Sequence, residues 1–363
     1  MSRAIELARL GHYTTSPNPR VGCVIVNNEQ IVGEGFHAKA GQGHAEVHAL
    51  EQAKEQAKGA TVYVTLEPCA HFGKTPPCAQ ALIDAGVSKV IAAMVDPNPQ
   101  VSGKGLTLLS QAGIATNSGL LAAEAKALNL GFIKLMTEGL PFVRCKLAAS
   151  LDGKTAMASG ESQWITSSAA RQDVQRLRSQ SCAIISGAQS IISDNARMTV
   201  RWQELGYIKN SYPQSDLRQP VRVIIDSKNR LTPDLALFSD NSPIILIRTN
   251  IENIHQWPHF VEQIAIPLSA NDDFIDLSAL LTMLAKRGLN DVLVESGKSL
   301  AGAFIEQNLV DELILYQAPK LMGDDGLGLL TMPSVTKLAQ AKTLKFKEVT
   351  RVGDDLKIIA SLR

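Results

Sequence analysis

Short apolar runs alternate with longer stretches of helical spacing from the first residues onward, and that alternation predicts stacked α/β layers. VGCVIV from Val21 and QIVGEGFH from Gln30 read as neighbouring strands. From His44 to Lys58 the apolar spacing is helical, with Gly59 as its stop. TVYVTLEP from Thr61 is a strand rich in β-branched residues. A second helix is expected to start near Pro77, proline being favoured at a first helical position, and to end near Gly86. VSKVIAAMVDPNP then returns as a buried strand, which makes the first part a three-layer pattern. One helix is predicted from Leu120 to about Glu138. Gly139-Leu140-Pro141 follows it, and proline both ends a helix and biases its predecessor toward extended backbone. A domain boundary is expected there, dividing the chain into 1–139 and 140–363. Beyond it the strand patterns resume with FVRCKLAAS, CAIISGA, VRVIIDS, PIILIRT, DVLVES, DELILYQAP and a C-terminal pair, LKFKEV and DLKIIASL.

Size and charge narrow the functional classes. At 363 residues the chain exceeds what one core usually holds, in keeping with two domains. Lys+Arg 36 against Asp+Glu 35, with no run of five or six like charges, argues against nucleic acid as a partner and leaves small molecules. No stretch approaches the roughly 18 apolar residues of a membrane span, and no signal-peptide pattern opens the chain. The expectation is a cytoplasmic protein, forming a homo-oligomer. Five scattered cysteines are no disulfide framework; Cys23, Cys145 and Cys182 are expected to be packed thiols.

The other two cysteines carry chemistry. His44-Ala45-Glu46 precedes a helix, Glu67-Pro68-Cys69 ends a strand, and Cys78 follows Pro77 at a helix start. Helix N-termini favour thiolates, the form that binds metal. His44, Cys69 and Cys78 give three ligands, and catalytic zinc typically keeps a fourth position for water. Glu46 need not ligate; it is placed to carry a proton from water to a departing amine. The pattern is that of zinc base deaminases. Here, however, a longer loop separates the cysteines, with His71, Lys74 and Thr75 as its polar members. A closed structural site with His71 as fourth ligand is the alternative, and it leaves Glu46 without a role. In the second half no G-x-G-x-x-G follows a strand. Gly297-Lys298-Ser299 imitates part of a phosphate-binding loop, but Val292 stands where that loop requires glycine. What remains is a strand entering Gly297 and a helix with Ala301, Gly302 and Ala303. Such a helix start suits a dinucleotide's phosphates, and tight strand–helix packing would explain the same small residues.

TTSPNPRVGCVIV, HAEVHAL, YVTLEPCAHFGKTPPC and DPNPQVSGKG resemble the deaminase half of bifunctional riboflavin-biosynthesis deaminase–reductases. KLAASLDGKTAMASGESQWIT, SDNARMTVRW and VESGKSLAGAF resemble the reductase half. The resemblance covers nearly the whole chain. It implies a cytidine-deaminase-like α/β/α sandwich followed by a dihydrofolate-reductase-like α/β domain. It further implies zinc-dependent deamination of 2,5-diamino-6-ribosylamino-4(3H)-pyrimidinone 5′-phosphate, then NADPH-dependent reduction of the ribosyl group to ribityl. By resemblance, Asn18, His71 and Lys74 bind the first substrate. NADPH would meet Ala148, Trp164, Ser190, Asp194, Ser227 and Gly297, Lys298, Ser299, Leu300, Ala301, Gly302 and Ala303. Ser162, Arg178, Met198, Arg201 and Glu295 would face the second substrate, and Asp194 would also help to open or orient the ribose. Asp194 is followed by Asn195-Ala196 where an Asp-Pro is common.

Overall fold

The computed structural model describes residues 1–70, 77–252, 255–269 and 274–362, which form two compact units, Met1–Leu140 and Pro141–Arg363. In the first unit, Gly22–Asn27 and Gln30–Phe36 make an antiparallel hairpin. Its two turn residues, Asn28 and Glu29, both take positive φ (50° and 65°), the handedness that matches strand twist. Thr61–Val64 pairs antiparallel with Gly22–Asn27; Lys89–Ala92 and Ala115–Ser118 then add in parallel. Alternate side chains of the first, third and fourth of these segments, Cys23, Ile25, Val62, Val64 and Val90, meet Ala49 and Leu82 in one buried core. The helix Ala45–Ala53 lies almost on the backbone of Gln30–Phe36: a Cβ on Gly35 would sit 2.3 Å from the Ala45 carbonyl oxygen. That close approach fixes the start of the helix, where His44 and Glu46 stand.

Two helices differ from expectation. The one read from His44 to Lys58 stops at Ala53, where Lys54 turns to φ 50°, and continues only as the 3₁₀ turn Lys54–Ala57. The single helix expected from Leu120 to Glu138 is two, Ala122–Leu128 and Leu130–Glu138. The break has a physical cause at Asn129. Its buried amide exchanges hydrogen bonds with the Arg20 backbone (2.8 and 2.9 Å), and the Arg20 guanidinium takes the freed Leu128 carbonyl at 2.7 Å. A polar side chain bonded to distant backbone thus replaces helix continuity.

The second unit is built on a nine-stranded sheet. Seven strands run parallel, in the spatial order Val261–Ala265, Ile244–Arg248, Val221–Ile225, Ala183–Gly187, Asp291–Glu295, Phe142–Ser150 and Glu312–Ala318. Asp355–Leu362 and Leu344–Val352 close one side as an antiparallel hairpin. A parallel sheet ending in such a hairpin is the dihydrofolate-reductase-like arrangement. Val261–Ala265 escaped the sequence reading because Glu262 and Gln263 interrupt its apolar pattern at a half-exposed sheet edge. Ser167 and Asp276 cap the helices Ser168–Gln180 and Leu277–Lys286 by accepting the Ala170 and Ala279 N–H groups. Cys23, Cys145 and Cys182 are buried, and the Cys182 thiol donates to Asn290 Oδ1 at 3.0 Å. Among the described residues no helix is long and apolar enough to cross a membrane.

Candidate active sites

Three segments bring the first site together. His44 is the extended residue before the helix Ala45–Ala53, Cys69 follows the strand Thr61–Val64, and Cys78 opens the helix Cys78–Asp84. Their donor atoms all lie within 4.8 Å of one another. His44 Nδ1 is 3.1 Å from Cys78 Sγ and 3.7 Å from Cys69 Sγ, and the Cys78 N–H donates to Cys69 Sγ at 3.2 Å. Nitrogen and sulfur donors on adjacent corners of a tetrahedral zinc site are separated by about 3.6 Å, so the observed spans fit that ion. Hydrogen bonding from the Cys78 thiol, aided by His44 and opposed by burial, holds Cys69 down to about 4; the same interaction holds Cys78 well above the ordinary thiol value. Cys69 therefore offers a thiolate, and binding of a cation would draw the proton from Cys78 as well.

Glu46 stands two residues beyond His44 and is only 3% exposed. Burial pushes its carboxyl up to about 7, His44 pulling the other way. A carboxyl poised near neutrality can take a proton and return it. Asn18 reaches the same region: its Nδ2 lies 3.3 Å from His37 Nε2, while His37 Nδ1 faces the Gly43 carbonyl at 3.1 Å. A carbonyl only accepts, so Nδ1 carries the hydrogen and Nε2 accepts from Asn18. Burial keeps the His37 ring below its usual pKa, hence neutral, and the ring lies edge-on to His44 with centroids 5.6 Å apart. Sequence reading passed over His37; its one signal was a histidine ending a strand just ahead of the zinc motif. His71 and Lys74 lie outside the described residues, as does Thr75.

In the second unit the candidates gather at the carboxyl ends of four adjacent parallel strands, where open α/β sheets bind ligands. Ala148 is near the end of Phe142–Ser150, and Ser190 and Asp194 belong to the helix Ala188–Asp194 that follows Ala183–Gly187. Ser227 lies just past Val221–Ile225, and Gly297 follows Asp291–Glu295 as the cap of the helix Lys298–Glu306. The Gly297 N–H donates to Ser190 Oγ at 3.2 Å, which joins two of these loops. Lys298, Ser299 and Leu300 form the first turn of that helix, whereas Ala301 and Gly302 are buried. Gly302 serves packing: a Cβ there would lie 2.0 Å from the Thr331 carbonyl oxygen. Ala303 is half-buried on the same helix. Asp194 is exposed, and Asn195 takes the left-handed conformation that ends its helix, its side chain accepting the Ala236 N–H at 2.9 Å.

The residues expected to face the second substrate are placed less uniformly. Arg178 and Glu295 form a bidentate pair at 2.8 and 2.9 Å, with the Thr199 carbonyl on a third guanidinium nitrogen at 2.9 Å and Lys146 3.6 Å from Glu295. Burial alone would raise the Glu295 carboxyl, but Arg178 and Lys146 hold it down at about 2. Arg201 is exposed and forks onto Glu204 at 2.6 and 2.8 Å. Met198 sits in the core with Ile184, Ile191 and Ile224. Ser162 is half-buried, and Trp164, expected to meet NADPH, is 60% exposed with the Arg171 guanidinium 4.5 Å from its ring centroid.

Known proteins carry the same two-part design. Residues 1–94 match the cytidine and deoxycytidylate deaminase zinc-binding region, and residues 141–358 match the RibD C-terminal domain. The riboflavin biosynthesis protein RibD of Escherichia coli is 53% identical over 98% of this chain and 96% of its own. The chain belongs to the RibD family. The solved RibD of Acinetobacter baumannii superposes with a TM-score of 0.91 at 43% identity, over 100% of this chain and 97% of that one. The Thermotoga maritima diaminohydroxyphosphoribosylaminopyrimidine deaminase/5-amino-6-(5-phosphoribosylamino)uracil reductase gives 0.84 at 34% identity, again over 100% and 97%. As a RibD-family protein the chain is an enzyme with deaminase and reductase activities, and zinc and NADPH are its cofactors.

Proposed function

We propose that the chain converts 2,5-diamino-6-ribosylamino-4(3H)-pyrimidinone 5′-phosphate to the aminouracil in its first unit and reduces the ribosyl group to ribityl in its second. The observation that carries the reading is the convergence of His44, Cys69 and Cys78 beside a buried Glu46 in a chain that matches both family segments. His44 Nδ1 and the two sulfurs would hold zinc, which when bound makes water nucleophilic at neutral pH. Glu46 takes a proton from that water and delivers it to the amine that leaves as ammonia. Asn18 presents its amide to the pyrimidine edge, and His37, its tautomer fixed by Gly43, holds that amide in orientation. The family resemblance assigns His71 and Lys74 to the same substrate.

In the second unit NADPH supplies the hydride. Ala148, Trp164, Ser190, Asp194, Ser227 and the stretch from Gly297 to Ala303 would hold it along the carboxyl edge of the sheet, with the first-turn N–H groups after Gly297 toward phosphate. Arg201, exposed and forked, suits the substrate phosphate. Arg178 and Glu295 fix each other and shape the floor of the site, with Ser162 at its wall and Met198 supporting it from the core. Asp194 orients the opened ribose. Small molecules are thus the partners, and the cytoplasm is the compartment that buried thiols favour. A homo-oligomer is supported by the apolar side chains left open on the C-terminal hairpin, where Phe346 is 67% and Val349 54% exposed. Mass analysis of products from the diaminopyrimidine tests the whole reading. Without NADPH, one amine should be exchanged for oxygen; with it, two hydrogens should be added. Reduction with no loss of nitrogen would overturn it.

A further inference from the structure

Glu67 lies two residues ahead of Cys69 and is 4% exposed. Its carboxylate accepts four backbone N–H groups, all from one other segment. Oε1 takes Gly105 at 2.8 Å and Leu106 at 3.3 Å, and Oε2 takes Gly103 at 2.9 Å and Asp96 at 3.0 Å. Hydrogen bonds to an ionised acceptor are roughly twice as strong as neutral ones, so this single side chain is a firm tie between two stretches of backbone. A steric fit reinforces it. A Cβ on Gly105 would lie 1.9 Å from the Pro68 carbonyl oxygen, so the helix Lys104–Gln111 starts directly on the peptide that leads into Cys69.

The sheet shows where the tied segment lies. Thr61–Val64 and Lys89–Ala92 are adjacent and parallel, so their carboxyl ends release Glu67-Pro68-Cys69 and the 93–103 segment at the same edge. That edge is where ligands sit in open α/β sheets. Within the segment, turns are stiffened locally: Asp96 Oδ1 accepts the Asn98 N–H at 2.8 Å, and Asn98 Oδ1 accepts the Gln100 N–H at 3.0 Å. Backbone bonds join the start of the segment to the zinc-ligand stretch, Ala93 N–H to the Val64 carbonyl at 2.8 Å and Glu67 N–H to the Met94 carbonyl at 3.0 Å, and from Asp96 onward the Glu67 side chain ties it.

We propose that Glu67 is a positioning residue for deamination, fixing the 96–106 segment as one wall of the pocket beside Cys69. The proposal rests on the assignment of deamination to the first unit. Glu67 does its work through the segment it holds and contributes no ligand to the metal.

The test uses full-length, zinc-loaded Glu67→Gln beside the wild type. Glutamine keeps the length but turns an N–H donor toward two backbone N–H groups, which must then separate. Deamination kcat/KM should fall between about tenfold and about 10²-fold, the scale of an ångström-level misplacement, with a rise in KM carrying part of it. Amides of Asp96, Gly103, Gly105 and Leu106 should exchange hydrogen faster. Zinc per chain and reduction of the aminouracil should stay within about twofold of wild type, since neither site's own groups are touched. Gly105→Ala, which leaves Glu67 intact but pries the segment off Pro68, should lower deamination in the same direction. Wild-type kcat/KM in either variant overturns the proposal, and so does loss of zinc from Glu67→Gln. If the wild type itself releases no ammonia, the deaminase assignment falls first and takes this proposal with it.

Discussion

The two units hold their candidate residues in opposite ways. In the first, three donor atoms and a carboxyl converge within a few side chains, and burial and hydrogen bonding move every one of their titrations. In the second, the candidates are spread along the ends of four strands, and the buried ion pair among them, Arg178 with Glu295, is closed on itself. The difference follows from what is bound. A metal ion demands a few specific atoms at about 2 Å, whereas a dinucleotide can be held by backbone at helix starts and strand ends. Chemistry is therefore concentrated in side chains in the first unit and delegated to a cofactor in the second.

If this contrast holds, perturbing a side chain in the first unit should hit chemistry, and in the second it should hit architecture. The largest effect is expected from Glu46→Gln. Deamination should fall by at least about 10²-fold while metal analysis finds zinc unchanged, because Glu46 moves protons and does not hold the ion. Zinc loss in that variant would make Glu46 a ligand and blur the contrast. Arg178→Ala should cost the second unit about 3 kcal/mol in urea unfolding, near the low end for breaking a buried pair because Lys146 stays beside Glu295. An unchanged midpoint with reduction abolished would instead put Arg178 directly on the substrate. A smaller, graded effect is expected from acid. Glu295 is held at about 2, below its ordinary 4.5, so its stabilising contribution is complete above 4.5 and is lost as pH falls toward 2. Wild type should show this acid loss in the second unit's unfolding, and Glu295→Gln should show less of it.

The same contrast explains what could be read without coordinates. His44, Glu46, Cys69 and Cys78 were legible because few residue types bind zinc and their spacing places them at helix starts. Six of the second unit's parallel strands were legible as apolar runs, whereas the edge strands Val261–Ala265 and Ala115–Ser118 carried no such run. Asn129 was not: its amide breaks a helix by bonding Arg20, 109 positions away in the chain, and no local pattern announces that. Glu67 looked like part of a motif whose meaning was Cys69, and its four N–H partners lie 29 to 39 residues on. Gly302 was ambiguous between phosphate approach and packing, and the Thr331 backbone against it accounts for the glycine by packing. Met198 carried no visible sign of the core it enters. Residue type announces donors and nucleophiles; it does not announce which backbone a side chain will meet.

The most direct test removes the metal and asks both halves to work. Among the described residues the zinc-type cluster is His44, Cys69 and Cys78, and every cofactor candidate follows residue 140. Chelator-treated protein, shown by circular dichroism to remain folded, is given the diaminopyrimidine in one reaction and the deaminated aminouracil with NADPH in another. The account predicts no ammonia from the first and NADPH oxidation at the untreated rate in the second. Folded, zinc-free protein that cannot reduce the aminouracil would contradict the assignment of the two chemistries to separate, independent centres.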